Sequence, residues 1–198
     1  MSTGADNAAD RAIRVRLWDL PTRLFHWLIV GLVAFSWFTA ETDRLIWHRW
    51  SGYTILGLLV FRLVWGFVGP APARFTRFVR GPRAVLGYAR EMVRPRPSHW
   101  PGHSPVGALA VLAMLAVLVL QVTTGLFADP DDYINVGPLA GQVSSATSRM
   151  ALQWHHRGAD LILILVLLHW AVIAFYRFWK QEDLVWPMIN GWKWVRRQ

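Results

Sequence analysis

The stretch "LQWHHRGADLILILVLLHW", Leu152 to Trp170, is apolar enough to lie in a membrane, yet it carries His155, His156 and His169. Imidazole is costly to bury in hydrocarbon without a partner, so an intramembrane histidine points to a function. At about 100° per residue, a spacing of 14 falls only about 40° short of four full turns and rises about 21 Å, whereas a spacing of 13 lands about 140° away. His155 and His169 therefore share a face of one long helix. His156 is read as facing water, headgroups or another helix.

The rest of the chain repeats the apolar pattern. It has 198 residues, is 54% hydrophobic and contains 13 Trp. Leu24 to Ala40 and Pro105 to Ala128 carry no charge, Ile46 to Gly69 carries only Arg49 and Arg62, and Leu152 to Tyr176 only Arg157 and Asp160. Each run is long enough, or nearly so, to cross a hydrocarbon core of about 30 Å as a helix. Backbone groups in lipid must be satisfied internally, so helices are expected and strands are not. The reading is an all-α, integral membrane four-helix bundle, with helices over about 20–40, 46–69, 105–128 and 152–177. Residues 1–17 form a polar leader and residues 18–198 a single domain. No clear small-residue cleavage site trails the first run, which is read as a retained span and not a signal peptide.

Charge gives the orientation. Basic segments (Arg11, Arg14, Arg16; Arg74 to Arg96; Arg177 to Arg197) alternate with acidic loops carrying Glu41 and Asp43, then Asp129, Asp131 and Asp132. By the positive-inside rule both termini and the second loop are cytoplasmic and the first and third loops lie outside. The net charge of +9 invites a nucleic-acid reading. That reading is weak, because the arginines flank spans and no recognition fold is present.

There is no cysteine, which removes disulfides, thiolate zinc sites, cysteine-held iron–sulfur clusters and thioether-attached haem. Any metal must then be held by His, carboxylate, Met or Tyr. With alternating span directions, His48 and His155 lie toward the outer ends of their helices, and His26 and His169 toward the inner ends. Two stacked bis-histidine sites about 20 Å apart match a pair of b-type haems, whereas zinc would want three or four ligands at one level. Isolated polar residues hydrogen-bonded within the bundle are the plainer alternative for each histidine taken alone.

Arg62 follows His48 by 14 residues, so it shares that face at the inner level, where a haem propionate would suit it; snorkelling to the headgroups is the rival. Gly52, one turn past His48, leaves room for a porphyrin to lie flat, although glycine also serves plain helix packing. Asp19 is a plausible N-cap of the first helix, ahead of Pro21, and Trp18 and Trp27 suit the interface. "GPRAVLGYAREMV" (81–93) has helical spacing for an interfacial segment, and "EDLVWPMINGWKW" (182–194) reads as another. His99 and His103 lie in the second loop.

Taken together, these pieces resemble the bacterial cytochrome b561 family, which overlaps with the b-type cytochrome subunits of nickel–iron hydrogenases. The matching stretches are "WDLPTRLFHW" (18–27), "WHRWSGYTILGLLVFRLVWGFVG" (47–69), "GPRAVLGYAR" (81–90), "GHSPVGAL" (102–109), "GPLA" (137–140), the His155–His169 pair and "MINGWK" (188–193). The resemblance implies axial ligands at His26, His48, His155 and His169, two non-covalent b haems, and electron transfer between quinone and a redox partner. The family has five-helix members. Four spans lean toward its stand-alone or cytochrome c-partnered branch.

On this reading the outer haem serves a periplasmic cytochrome c-like or other redox protein, steered by Asp129, Asp131 and Asp132. Quinone meets the inner haem, with His103, Arg77 and Arg80 as candidate contacts. The other readings are a superoxide (or small oxidant):quinone oxidoreductase and a haem-bearing membrane anchor of a peripheral redox enzyme. Lipid is the surrounding partner, and a homodimer is compatible with the sequence.

Overall fold

The computed structural model describes residues 12–94, 100, 102–131 and 135–196. Among these residues, four helices are long and apolar enough to cross a membrane. They are α1 (Leu20–Glu41), α2 (Leu45–Val68), α5 (Pro105–Phe127) and α6 (Ser145–Phe178). Three shorter helices, α3 (Phe75–Phe78), α4 (Pro82–Met92) and α7 (Val185–Asn190), lie outside these spans.

The chain folds as two antiparallel hairpins, α1–α2 and α5–α6, joined where α2 packs on α5. Phe25, Ile29, Ile55, Leu59, Leu115 and Val122 fill the centre. The outward faces stay apolar: Leu28, Val64, Ile164 and Leu168 are all more than half exposed, as lipid-facing positions are, except that lipid takes the place of water. α1 and α6 make no comparable contact, and a cleft lined from both helices separates them.

α6 begins seven residues before the expected position 152. Ser144 caps it, its hydroxyl accepting from the Thr147 backbone N–H at 3.2 Å. This supplies one of the donors that a helix start leaves unpaired, so helix forms through the polar "SATSRMA" turns before the apolar run begins. α5 is capped the same way by Ser104, which accepts from Gly107 N at 3.2 Å. Asp19, by contrast, makes no side-chain cap. Its two oxygens take the Thr22 hydroxyl at 2.6 Å and the Trp65 indole N–H at 2.9 Å, so it ties α1 to α2.

Strands were not expected, yet β1 (Ala12–Arg16) and β2 (Trp192–Arg196) pair antiparallel, with Arg14 opposite Trp194 and Arg16 opposite Trp192. The ribbon precedes α1 and follows α7. It lies outside the spans, where water can satisfy its edges and the rule against strands in hydrocarbon does not apply. The segment read as a polar leader is therefore partly a strand. Its exit is fastened to the other terminus, because Leu17 and Trp18 donate their N–H groups to the Gly191 carbonyl at 2.8 and 3.1 Å. Gly191 has φ +86°, and a Cβ there would lie 2.7 Å from the Trp18 carbonyl oxygen, so this crossing requires glycine.

The ribbon, α3, α4 and α7 all gather at the end of the bundle where α1 and α5 begin and α2 and α6 finish. Trp18 is buried there against the protein, and Trp27 is 45% exposed. α4 is locked beneath α6: the Tyr88 and Tyr176 hydroxyls hydrogen-bond, and the Trp179 indole donates to the Val93 carbonyl at 3.0 Å.

Candidate functional site

The histidines near the acidic end come together. His48 on α2 and His155 on α6 have ring centroids 5.9 Å apart and planes at 88°. His48 Nδ1 lies 2.9 Å from the Ser36 carbonyl oxygen and 3.1 Å from the Ser36 hydroxyl. His155 Nδ1 lies 2.9 Å from the Gln121 carbonyl oxygen and 3.4 Å from the Thr124 hydroxyl. A carbonyl only accepts, so each Nδ1 carries the proton and each Nε2 keeps its lone pair. A backbone acceptor on the other nitrogen is the arrangement that orients a metal-ligating histidine and raises its basicity. Gly125 makes room for one of these rings, since a Cβ there would lie 2.9 Å from His155 Cε1. His156, the neighbour, is exposed.

At the other end, His26 on α1 and His169 on α6 line the same cleft, about 350 Å³ in volume, together with Trp27, Val30, Ile173 and Val185. His26 Nδ1 is buried with no hydrogen-bond partner. The two histidine levels thus differ: one is braced by carbonyls, and the other opens onto a cleft.

Arg62 does not snorkel. It is 3% exposed, donates from Nη2 to the Ala73 carbonyl at 3.3 Å, and lies with its guanidinium 4.7 Å over the Phe75 ring. Its Nη1 is buried and unpartnered. Gly66 permits this packing, because a Cβ there would overlap the Phe75 ring at 1.9 Å. His103 is enclosed between Trp18 and Phe78, with centroids at 4.7 and 4.5 Å, and among the described residues its Nδ1 also lacks a partner. Burial, with Arg62 adding to it, pushes His103 down to about 4, so the ring is neutral at physiological pH. Arg77 and Arg80 are exposed, Arg80 over the Trp100 ring at 5.9 Å. No atom stands within 4 Å of a Cβ built on Gly52. Asp131 is exposed, and its N–H bonds Asp129 Oδ1 at 2.9 Å, whereas Asp132 and His99 lie outside the described residues.

The donor set fits a haem. Each level offers two imidazoles on different helices, and among the described residues no third ligand-type side chain joins them to hold a bare metal ion. Two imidazoles suit an iron already held by pyrrole nitrogens. Ser36, Gln121, Thr124 and Gly125 are functional neighbours that the sequence reading passed over. Gln121 and Thr124 did leave a signal, as polar residues one turn apart in an otherwise apolar span.

A helical membrane bundle with facing histidine pairs and buried, unpartnered donors is the frame of a membrane b-type cytochrome. Comparison with known proteins agrees. Residues 17–191 match the family model described as prokaryotic cytochrome b561, and the chain belongs to that family. It is a membrane protein that binds b-type haem and works in electron transfer. It is also similar to a probable Ni/Fe-hydrogenase B-type cytochrome subunit of Azotobacter chroococcum mcd 1, at 23% identity over 218 residues covering 90% of this chain and 88% of the relative.

Proposed function

We propose that the chain carries two b haems, one between His48 and His155 and one between His26 and His169, and that it passes electrons between the quinone pool and a periplasmic redox partner such as a c-type cytochrome. The observation that carries the reading is the carbonyl bracing of both Nδ1 atoms in the His48–His155 pair, which makes each Nε2 the acceptor nitrogen of its ring on facing helices; the one on His155 takes an N–H from the Gln121 side-chain amide at 3.3 Å. Bound haem supplies reversible one-electron chemistry.

The chain's own residues do the rest. The Ser36 and Gln121 carbonyls fix ring orientation. Arg62 Nη1 is a free donor for a propionate of the haem at the His26 level, and the open side of Gly52 leaves space along α2. His103, neutral and lacking a partner at Nδ1, is suited to hydrogen-bond a quinone carbonyl, with Arg77 and Arg80 on the surface nearby in sequence. The charge pattern puts both termini in the cytoplasm of a bacterial inner membrane. It leaves Asp129, Asp131 and Asp132 outside, where they favour a basic partner. Both termini share one end of the bundle through the ribbon, which is consistent with this orientation.

The test uses purified, haem-loaded protein in liposomes. A lipid-soluble quinol reduces the haem, and His103→Ala slows that reduction while dithionite-reducible haem stays unchanged. Loaded protein that quinol cannot reduce contradicts the quinone reading. The relative named as a hydrogenase subunit favours a second reading, a haem-bearing anchor of a peripheral enzyme. Retention of such an enzyme through purification in mild detergent supports it.

A further inference from the structure

The terminal ribbon has two unlike faces. Residues directly opposite in an antiparallel pair share a side, so Arg14, Arg16, Trp192 and Trp194 stand together. All four are exposed, Trp194 to 67%, and the Arg14 guanidinium lies 4.6 Å over the Trp192 ring. Between them, Val15 and Lys193 occupy the other face. Lys193 is only 14% exposed, is paired with Glu182, and donates to the Trp100 carbonyl at 3.4 Å. The cation of the inner face is therefore compensated within the protein, while among the described residues neither Arg14 nor Arg16 is in an ion pair.

This face is held close to the start of the first span. Arg16 lies four residues before the first residue of α1, and Leu17 and Trp18 are buried and bonded to Gly191. Four extended residues reach about 13 Å, and the headgroup layer beside the hydrocarbon is itself about 5–8 Å deep. Trp179 and Trp186, at the same end, are 51% and 59% exposed. Tryptophan favours the headgroup level, and arginine matches phosphate with two parallel N–H donors. We propose that the Arg14–Arg16–Trp192–Trp194 face is a docking surface for the anionic phospholipid headgroups of the leaflet that borders it.

α7 leads into the ribbon through Gly191 and is tied to α1. The Met188 and Ile189 carbonyls accept from the Trp27 indole and the Arg23 guanidinium, and Val185 lines the His26–His169 cleft. The inference does not depend on haem stoichiometry, on quinone, or on which side of the membrane the ribbon faces.

The natural chain has no cysteine, so Trp194→Cys carries a single fluorophore. The full-length protein is placed in nanodiscs of phosphatidylcholine alone, or with phosphatidylglycerol added, each doped with headgroup-spin-labelled lipid. Quenching is expected to be at least about twofold stronger in the anionic discs, and to fall to the neutral-disc level in the Arg14→Gln/Arg16→Gln background. Equal quenching in both compositions overturns the proposal. So does its absence from both, which would leave the face to water or to an acidic protein. Separately, an Arg14→Cys/Trp194→Cys disulfide reports whether the ribbon is paired, and failure to form it overturns the proposal at its root.

Discussion

The His48 and His155 rings are aimed by groups that have no side chain to read. Each Nδ1 is held by a carbonyl from the neighbouring helix, Ser36 for one and Gln121 for the other. The histidines themselves were legible through a 14-residue spacing and alternating span directions. Their braces were not, because every residue has a carbonyl. Asp19 shows a related limit: its position predicts a cap, but Trp65, 46 residues away, captures one oxygen and Thr22 the other. Gly125 gives a residue-scale prediction. Gly125→Val puts methyl groups where even a Cβ comes within 2.9 Å of the His155 ring, so the ring must leave its brace. Haem content is expected to fall by one per chain, with the His26–His169 site still loaded, as measured by haem absorbance per protein.

His103 yields a second residue-scale prediction. Its folded value lies near 4 against an ordinary 6.5, chiefly because it is buried and secondarily because Arg62 is near. The unfolded chain therefore takes up the proton first. The stability associated with the neutral ring is complete above about pH 6.5 and is lost as pH falls toward 4, at about 1.4 kcal/mol per unit of difference. Thermal unfolding in detergent at pH 7.5 and 4.5 is expected to show a smaller acid loss in His103→Gln than in the natural chain. An equal loss would mean the ring is protonated without penalty.

The four spans were legible from composition because lipid demands length and apolarity together. Their ends were less so: α6 starts at Ser145 because a serine cap acts over polar residues that carry no hydropathy signal. The ribbon was invisible for a different reason. β1 and β2 are about 180 positions apart, neither shows an alternating pattern long enough to predict a strand, and each is stable only against the other. The "MINGWK" stretch, read from the sequence as part of an interfacial segment, is the joint between α7 and β2. Gly191→Ala must hold a Cβ at φ +86° and 2.7 Å from the Trp18 oxygen. A loss of about 1–3 kcal/mol is expected, together with faster proteolysis after residue 184. A variant as protease-resistant as the natural protein would show that the joint can relax.

At the scale of the molecule, two hairpins meet through α2 and α5, and the α1–α6 side is left open as a cleft. This asymmetry separates the two histidine levels into a braced pair and a pair on a cleft that Val185 of α7 helps to line. It also follows from a chain whose polar extensions all collect at one end. The all-α membrane class was available from the sequence. The hairpin pairing and the cleft came only from packing, which hydropathy does not encode.

The central claim is two haems held by two histidine pairs, and the most direct measurement counts them. Reduced-minus-oxidised spectra with pyridine haemochrome quantification are taken on the purified protein and on His169→Ala and His156→Ala. The account predicts about two b haems per chain, one of them lost in His169→Ala and none in His156→Ala. One haem in the natural protein, or a haem lost on changing the exposed His156, would contradict it.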